Sequence, residues 1–330
     1  MKKLIFTSGD INGIGPEIVL KAVNKLYSPN LRNISIVIPK NVFEFYTNLV
    51  KPIFPYDIIT PKEPINDSAN VKIIDIGEYD IDCGIPTSKS GLASYNSLKL
   101  AFGKTFSGEA DVLITAPIAK VAFKLAGVGF SGHTEILAKW CGVKNFMMLF
   151  LSEELICALM TIHIPVRKIS NQLTEKKIIS KLRLLNNELK YHFGVKEPRI
   201  AILGLNPHAG EEGNIGKEEI EKIIPAMKKS KLMDIAGPFP SDAFFGTHDY
   251  KNYDAVLGMY HDQLLIPFKM MNMSNGVNFT AGLPIIRTSP DHGTAFNIAN
   301  KGIADPSSII NAALWGEKIV SNKSNEKPAL

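Results

Sequence analysis

Short apolar blocks run along this chain, separated by longer stretches in which apolar and polar positions recur at helical intervals. The blocks predict strands at residues 3–7, 34–38, 71–74, 112–115, 157–162, 199–204 and 255–259. The amphipathic stretches predict helices at 15–25, 91–107, 135–140, 175–192, 217–230 and 294–301. Strands alternating with helices in this way indicate an α/β protein with a largely parallel sheet. Two helix starts are well marked. Gly15-Pro16-Glu17 puts proline at a first helical position with an acid in the first turn, and Gly132-His133-Thr134-Glu135 offers Thr134 as an N-cap. Residues 321–327 are polar and read as a frayed tail.

Composition narrows the class. A length of 330 residues suits two domains, and 45% hydrophobic with 21% charged residues is globular rather than disordered. The formal charge of +5 favours anions mildly, but the basic residues are dispersed. A nucleic-acid binder would gather them on one face or stripe. The start, Met1-Lys2-Lys3-Leu4-Ile5-Phe6-Thr7, meets Ser8-Gly9-Asp10 too soon for a signal peptide, and no apolar run approaches the roughly 20 residues of a membrane span. Cys83, Cys141 and Cys157 form no CxxC pair, which argues against a disulfide framework or thiolate metal cage and for the cytoplasm.

The glycines after the first strand, Gly9, Gly13 and Gly15, lack the third glycine of a Rossmann fingerprint, and no P-loop sequence occurs. A dinucleotide therefore needs another device. Of seven histidines, His163, His208 and His261 each follow a predicted strand. Ligands in open α/β sheets bind outside the carboxyl ends of strands, so three imidazoles there suit a divalent metal, with Asp262 and Asp242 able to orient them. His192, beside Tyr191, and His248, in a polar turn, stand outside this group. His133 and Thr134 with Lys269, Asn278 and Arg287 supply the cations, amide and hydroxyl that a phosphate or carboxylate needs. The polar turn from Arg287 to Ala295, holding Asp291, Gly293 and Thr294, is suited to wrapping a nucleotide.

Ordered motifs tie these features together. They are Gly9-Asp10 with Gly13-Ile14-Gly15-Pro16-Glu17, Thr115-Ala116-Pro117-Ile118-Ala119-Lys120, and Ser131-Gly132-His133-Thr134-Glu135. Asn206-Pro207-His208-Ala209-Gly210-Glu211, Gly237-Pro238-Phe239-Pro240-Ser241-Asp242, Tyr260-His261-Asp262-Gln263 and Val277-Asn278-Phe279-Thr280 follow. Through them the chain resembles the 4-hydroxythreonine-4-phosphate dehydrogenase family of pyridoxal phosphate biosynthesis, essentially end to end. The resemblance implies a two-domain isocitrate/isopropylmalate dehydrogenase-like fold with parallel or mixed sheets and an interdomain cleft. The expected domains are residues 1–130 with 278–330, carrying the cofactor loop, and 131–277, carrying metal ligands and dimer contacts.

The resemblance also implies a divalent metal (Zn, Mg or Co) on His163, His208 and His261, two from one subunit and one from its homodimer partner. It implies substrate contacts at His133, Thr134, Lys269, Asn278 and Arg287, and NAD or NADP held near Asp291, Gly293 and Thr294. The expected reaction oxidises 4-phosphohydroxy-L-threonine to 2-amino-3-oxo-4-phosphooxybutanoate, which decarboxylates to 3-amino-2-oxopropyl phosphate; Asp242 is the candidate base. The chain departs from the family at Ile11-Asn12, where Pro-Ala is usual, at Glu212, where Gly is usual, and at Ser241-Asp242-Ala243 and Asn297. Rival readings are a same-family dehydrogenase of threonate or erythronate 4-phosphate, a metal-dependent phosphohydrolase, and a nonenzymatic anion-binding protein.

Overall fold

The computed structural model describes residues 1–66, 69–129, 132–273 and 275–322. The first half of the chain runs β1 (Lys2–Thr7), α1 (Gly15–Leu26), β2 (Arg32–Ile38), α2 (Lys40–Thr47), β3 (Tyr56–Ile59), β4 (Val71–Asp75), α3 (Ser88–Phe106), β5 (Val112–Ile114), α4 (Lys120–Leu125) and α5 (His133–Trp140). Then come β6 (Met147–Leu151), β7 (Ile156–Leu159), α6 (Ile169–Gln172), α7 (Glu175–Tyr191), β8 (Ile200–Leu203), α8 (Ile224–Ser230), β9 (Ile235–Phe239) and α9 (Ser241–Gly246). The chain finishes with β10 (Ala255–Gly258), α10 (His261–Asn272), β11 (Val277–Ala281), β12 (Ile286–Pro290) and α11 (Ser307–Asn322).

Two compact units result. Unit 1 comprises Met1–Gly142 with Leu283–Val320, and unit 2 comprises Val143–Gly282 with Ser321 and Asn322. Unit 1 carries strands in the order β3-β4-β2-β1-β5-β12, with every neighbouring pair parallel. Its central strands are buried on both faces, as in Leu4, Ile5 and Phe6 or Val112, Leu113 and Ile114. That burial is why these blocks read as continuous apolar runs rather than alternating ones. Unit 2 carries β11-β6-β7-β10-β8-β9, in which β6 pairs antiparallel with both β11 and β7 while β7, β10, β8 and β9 are parallel. The fold is thus α/β with parallel and mixed sheets, as the sequence pattern indicates.

Local chemistry sets the helix boundaries. Thr87 and Ser90 form a reciprocal capping box at the start of α3, and Thr174 accepts the Lys177 N–H at the start of α7. Proline opens α1 as expected. Three expectations are corrected. Gly132, not Thr134, is the N-cap residue of α5, so Thr134 lies inside the first turn. No α-helix spans 294–301; a single 3₁₀ turn at Phe296–Ile298 sits there between Ala295 and Asn300, both with left-handed backbone. Left-handed residues end a helix rather than propagate it. The helix lies further on, as α11, and takes in Ser321 and Asn322 of the expected tail; residues 323–327 lie outside the described residues. Among the described residues no helix is long and apolar enough to cross a membrane.

Candidate active site

In unit 1 the parallel strands deliver their C-terminal ends to one edge, and the loops that follow them interlock. Asp10 N–H donates to the Pro117 carbonyl (2.8 Å), Ala116 N–H to Thr7 Oγ1 (3.1 Å), and Ile14 N–H to the Thr294 carbonyl (3.0 Å). Gly9, with φ of +64°, permits a close approach of the two loops, since a Cβ there would fall 2.4 Å from the Pro117 carbonyl oxygen. Asp10 is fully buried; burial raises its carboxyl above the usual range, while bonds from Asn12 N–H and Ser90 Oγ oppose the rise.

Arg287, on β12, is 2% exposed at this edge. Its Nε and Nη2 donate to Thr115 Oγ1 at 3.0 and 2.7 Å, and Thr115 is itself fully buried. Burial pushes the guanidinium down to about 9, against the pull of Glu135, so it stays charged at neutral pH. His133 lies close enough to feel that charge. Burial first, and Arg287 second, hold its imidazole well below the ordinary value, and it is neutral at pH 7. The residue is half-buried, and its Nε2 is buried with no hydrogen-bond partner among the described residues. Thr134, next along, is buried as well. A buried cation beside an unsatisfied ring nitrogen and the N-terminus of α5 is an arrangement complementary to an anionic, hydrogen-bonding group.

In unit 2, β7, β10 and β8 are parallel neighbours, so the three histidines follow adjacent strand ends. His163 and His261 come together, with ring centroids 6.0 Å apart and planes at 41°. Two imidazoles on one tetrahedral ion, with metal–nitrogen bonds of about 2.0–2.1 Å, would sit with centroids roughly 5 Å apart. The pair is within about an ångström of that. His261 Nδ1 is hydrogen-bonded to Asp262 Oδ1 at 2.7 Å, which fixes the ring and leaves the Nε2 lone pair for a ligand. By the chemistry and spacing of these donors, the pair fits half of a divalent-metal centre. Among the described residues no three His, Cys, Asp or Glu side chains form a cluster able to hold a metal, so His208 does not join the pair within one chain.

His208 is exposed and begins a run of left-handed residues, His208, Ala209, Gly210, Glu211 and Glu212, with φ between 42° and 82°. Each non-glycine residue there costs about 1–2 kcal/mol, so the turn needs support. Buried Glu219 gives it: Oε1 accepts the Leu205 and Asn206 N–H groups (2.7 and 2.8 Å) and Oε2 accepts Asn206 Nδ2 (2.9 Å). Glu218 accepts the same Nδ2 at 2.8 Å and Ser170 Oγ at 2.6 Å, and these bonds, Ser170 first, hold its carboxyl at about 2. Gln263 joins three more segments. Its Nε2 donates to the Gly204 carbonyl (2.6 Å) and Ser241 Oγ (2.8 Å), and its Oε1 accepts the Met259 N–H (2.6 Å).

The remaining candidates are placed as follows. Asp242 is exposed in the first turn of α9, one residue after the serine that Gln263 anchors. Lys269 is half-buried on α10, and Asn278 lies opposite Phe150 on β11 with a buried Oδ1 that has no partner among the described residues. Asp291, Gly293 and Thr294 follow β12; Gly293 is exposed, and no heavy atom lies within 4 Å of where a Cβ would be. That open glycine fits a phosphate's need for close backbone approach. His192 is buried, with its Nδ1 hydrogen-bonded to Glu188, and His248 is exposed in a left-handed turn. Thr115, Glu219 and Gln263 carry roles that their residue type alone did not signal. Thr115 lies just beyond the end of β5 and Gln263 two positions after His261, which is the signal available for them; Glu219 offers none.

A family model for the pyridoxal phosphate biosynthetic protein PdxA matches residues 30–315. The chain belongs to the PdxA family. It is 44% identical over 319 residues to the 4-hydroxythreonine-4-phosphate dehydrogenase of Sulfurihydrogenibium sp. (strain YO3AOP1), covering 94% of this chain and 96% of the relative. The Aquifex aeolicus (strain VF5) protein of that name is 40% identical over 313 residues, covering 94% and 96%. Among solved structures, the 4-hydroxythreonine-4-phosphate dehydrogenase of Klebsiella pneumoniae superposes with a TM-score of 0.84 at 34% identity, covering 97% of this chain and 98% of that one. This PdxA-family chain is therefore an oxidoreductase of the dehydrogenase type, and its kinship implies the pyridoxal phosphate pathway.

Proposed function

We propose that the protein oxidises the secondary hydroxyl of 4-phosphohydroxy-L-threonine with NAD or NADP, giving a β-keto acid that loses carbon dioxide to leave 3-amino-2-oxopropyl phosphate. The observation that carries this reading is the buried Arg287–Thr115 pair beside the neutral, unsatisfied imidazole of His133, found in a chain matched almost throughout by dehydrogenases of that name. Arg287 meets an anionic group of the substrate, while His133, Thr134, Lys269 and Asn278 supply further polar contacts. With its Nε2 unpaired and its ring neutral, His133 can donate or accept one hydrogen bond there without bringing a second charge beside Arg287.

His163, His208 and His261, drawn from two subunits of a homodimer, hold a divalent cation such as Zn, Mg or Co; bound there, the ion supplies Lewis-acid polarisation of the reacting hydroxyl and of the ketone. Support for that grouping is the His163–His261 pair, with Asp262 fixing one ring. Asp242, exposed on α9, takes the hydroxyl proton. Asp291, Gly293 and Thr294 would hold the dinucleotide, whose nicotinamide would supply the hydride acceptor.

The test is formation of reduced nicotinamide from 4-phosphohydroxy-L-threonine, run beside threonate 4-phosphate. Chelator treatment should abolish turnover and a divalent ion restore it, and His208→Ala should lose it with the subunit count unchanged. Preference for the sugar-acid phosphate would move the substrate assignment within the family. Phosphate release without reduction of the nicotinamide, or full activity after chelation, would overturn the reading.

A further inference from the structure

Asn12 has no exposed surface, although it lies in an irregular turn between β1 and α1. A buried primary amide must find partners for both its ends. Its Nδ2 donates to the Ile85 carbonyl at 2.8 Å, and its Oδ1 accepts the Asp82 N–H at 2.8 Å. Its main-chain carbonyl accepts the Gly84 N–H at 2.7 Å. One residue thereby bolts segment 82–85 to the turn that begins at Gly9.

The other side of that turn holds the loop after β12. Ile14 N–H donates to the Thr294 carbonyl, and a Cβ on Gly13 would fall 2.8 Å from that same oxygen. Segment 82–85 also comes close to the loop, since a Cβ on Gly84 would lie 3.3 Å from the Phe296 carbonyl oxygen. Three segments of unit 1 thus meet around the turn that holds Asn12. Tyr46 reinforces that turn by donating to the Ile11 and Gly13 carbonyls at 3.3 and 3.2 Å.

We propose that Asn12 is a positioning residue for the dinucleotide: it holds the loop bearing Asp291, Gly293 and Thr294 in its receiving conformation and so sets cofactor affinity rather than the rate of the chemical step. The inference rests on the dinucleotide reading of that loop given above. A loop already fastened loses little further entropy on binding, whereas an unfastened one must be ordered at the expense of affinity. Because Asn12 reaches the loop through segment 82–85, only part of the loss of its hydrogen bonds is transmitted, and binding should weaken about three- to tenfold.

Asn12→Ala removes the two 2.8 Å side-chain bonds and a longer one from Nδ2 to Thr87 Oγ1 (3.5 Å), and Asn12→Ser, whose shorter hydroxyl cannot span Asp82 and Ile85, serves if the first fails to fold. Three readouts are compared with wild type: hydrogen–deuterium exchange of the 289–299 region without ligands, the dissociation constants for NAD and NADP, and KM against kcat. Faster exchange with a three- to tenfold rise in dissociation constant and KM, and kcat within about twofold, is the expected result. Unchanged exchange and affinity, or a fall in kcat at constant KM, would overturn the proposal whatever happens to the melting temperature. If wild type binds neither NAD nor NADP, the dinucleotide reading falls and takes this inference with it; failure of the inference alone shows only in the variants.

Discussion

Thr115→Val isolates the support of the buried guanidinium. Valine preserves the shape of the side chain and deletes only the hydroxyl that accepts Arg287 Nε and Nη2. Hydrogen bonds to a charged partner contribute about 1.5–3 kcal/mol each. The two here share one oxygen and compete for its lone pairs, so their joint contribution is about 2–4 kcal/mol rather than the simple sum. Both residues are almost entirely buried, which keeps solvent from replacing the lost acceptor. For a unit of this size the loss corresponds to a drop of roughly 5–15 °C in melting temperature. Thermal unfolding followed by circular dichroism at pH 7 reads that drop, and KM for the phosphorylated substrate should rise in parallel as Arg287 loses its fixed direction. Thr115→Ser restores the acceptor and should recover most of both. A Thr115→Val protein melting within about 1 °C of wild type, or a serine variant as damaged as valine, would refute the claim that this hydroxyl holds the arginine.

Two other outcomes follow from the turn around His208. Glu212→Gly removes a left-handed cost of about 1–2 kcal/mol and adds about 0.5–1 kcal/mol of unfolded-chain entropy, so a melting temperature higher by up to about 6 °C is expected, and a lower one would contradict the strain. Glu218 falls from 4.5 to about 2 on folding, so its contribution to stability is complete above pH 4.5 and is lost as pH drops from there to about 2. Ser170→Ala removes the largest cause of that depression; the stability difference from wild type should be constant above pH 5 and close between about pH 4.5 and 2, as urea titrations across that range would show. A difference independent of pH would remove Glu218 from the account.

The strands that read clearly in the sequence are the fully buried parallel ones, because burial on both faces makes them uninterrupted apolar blocks. Edge strands β3 and β9 were not legible, since their half-exposed residues form no continuous block; β6, β11 and β12 are buried yet also absent from the expected strands, β11 and β12 being interrupted by polar residues such as Asn278 and Arg287. The helix expected at 294–301 failed for a different reason. Its apolar spacing is helical, but Ala295 and Asn300 take left-handed backbone and the Thr294 carbonyl is drawn to the Ile14 N–H, which no local pattern records. The candidate site divides the same way. Histidines after strand ends are visible in one dimension, whereas Thr115 meets Arg287 across 172 positions and Glu219 reaches back to the chain before His208. Such partners appear only once the strands are in register.

The pairing of β12 with β5 bears on how the protein is made. Val112 stands opposite Ile286, so more than 170 intervening positions must be synthesised before β5 acquires its second neighbour. Until then the nascent chain presents an apolar parallel edge with unsatisfied amides, open to pairing with another molecule. The same late arrival brings Arg287 to Thr115, so the buried cation is installed only when the edge is closed. A ribosome-bound chain stopped before residue 286 should therefore depend on chaperones in a way that the finished protein does not.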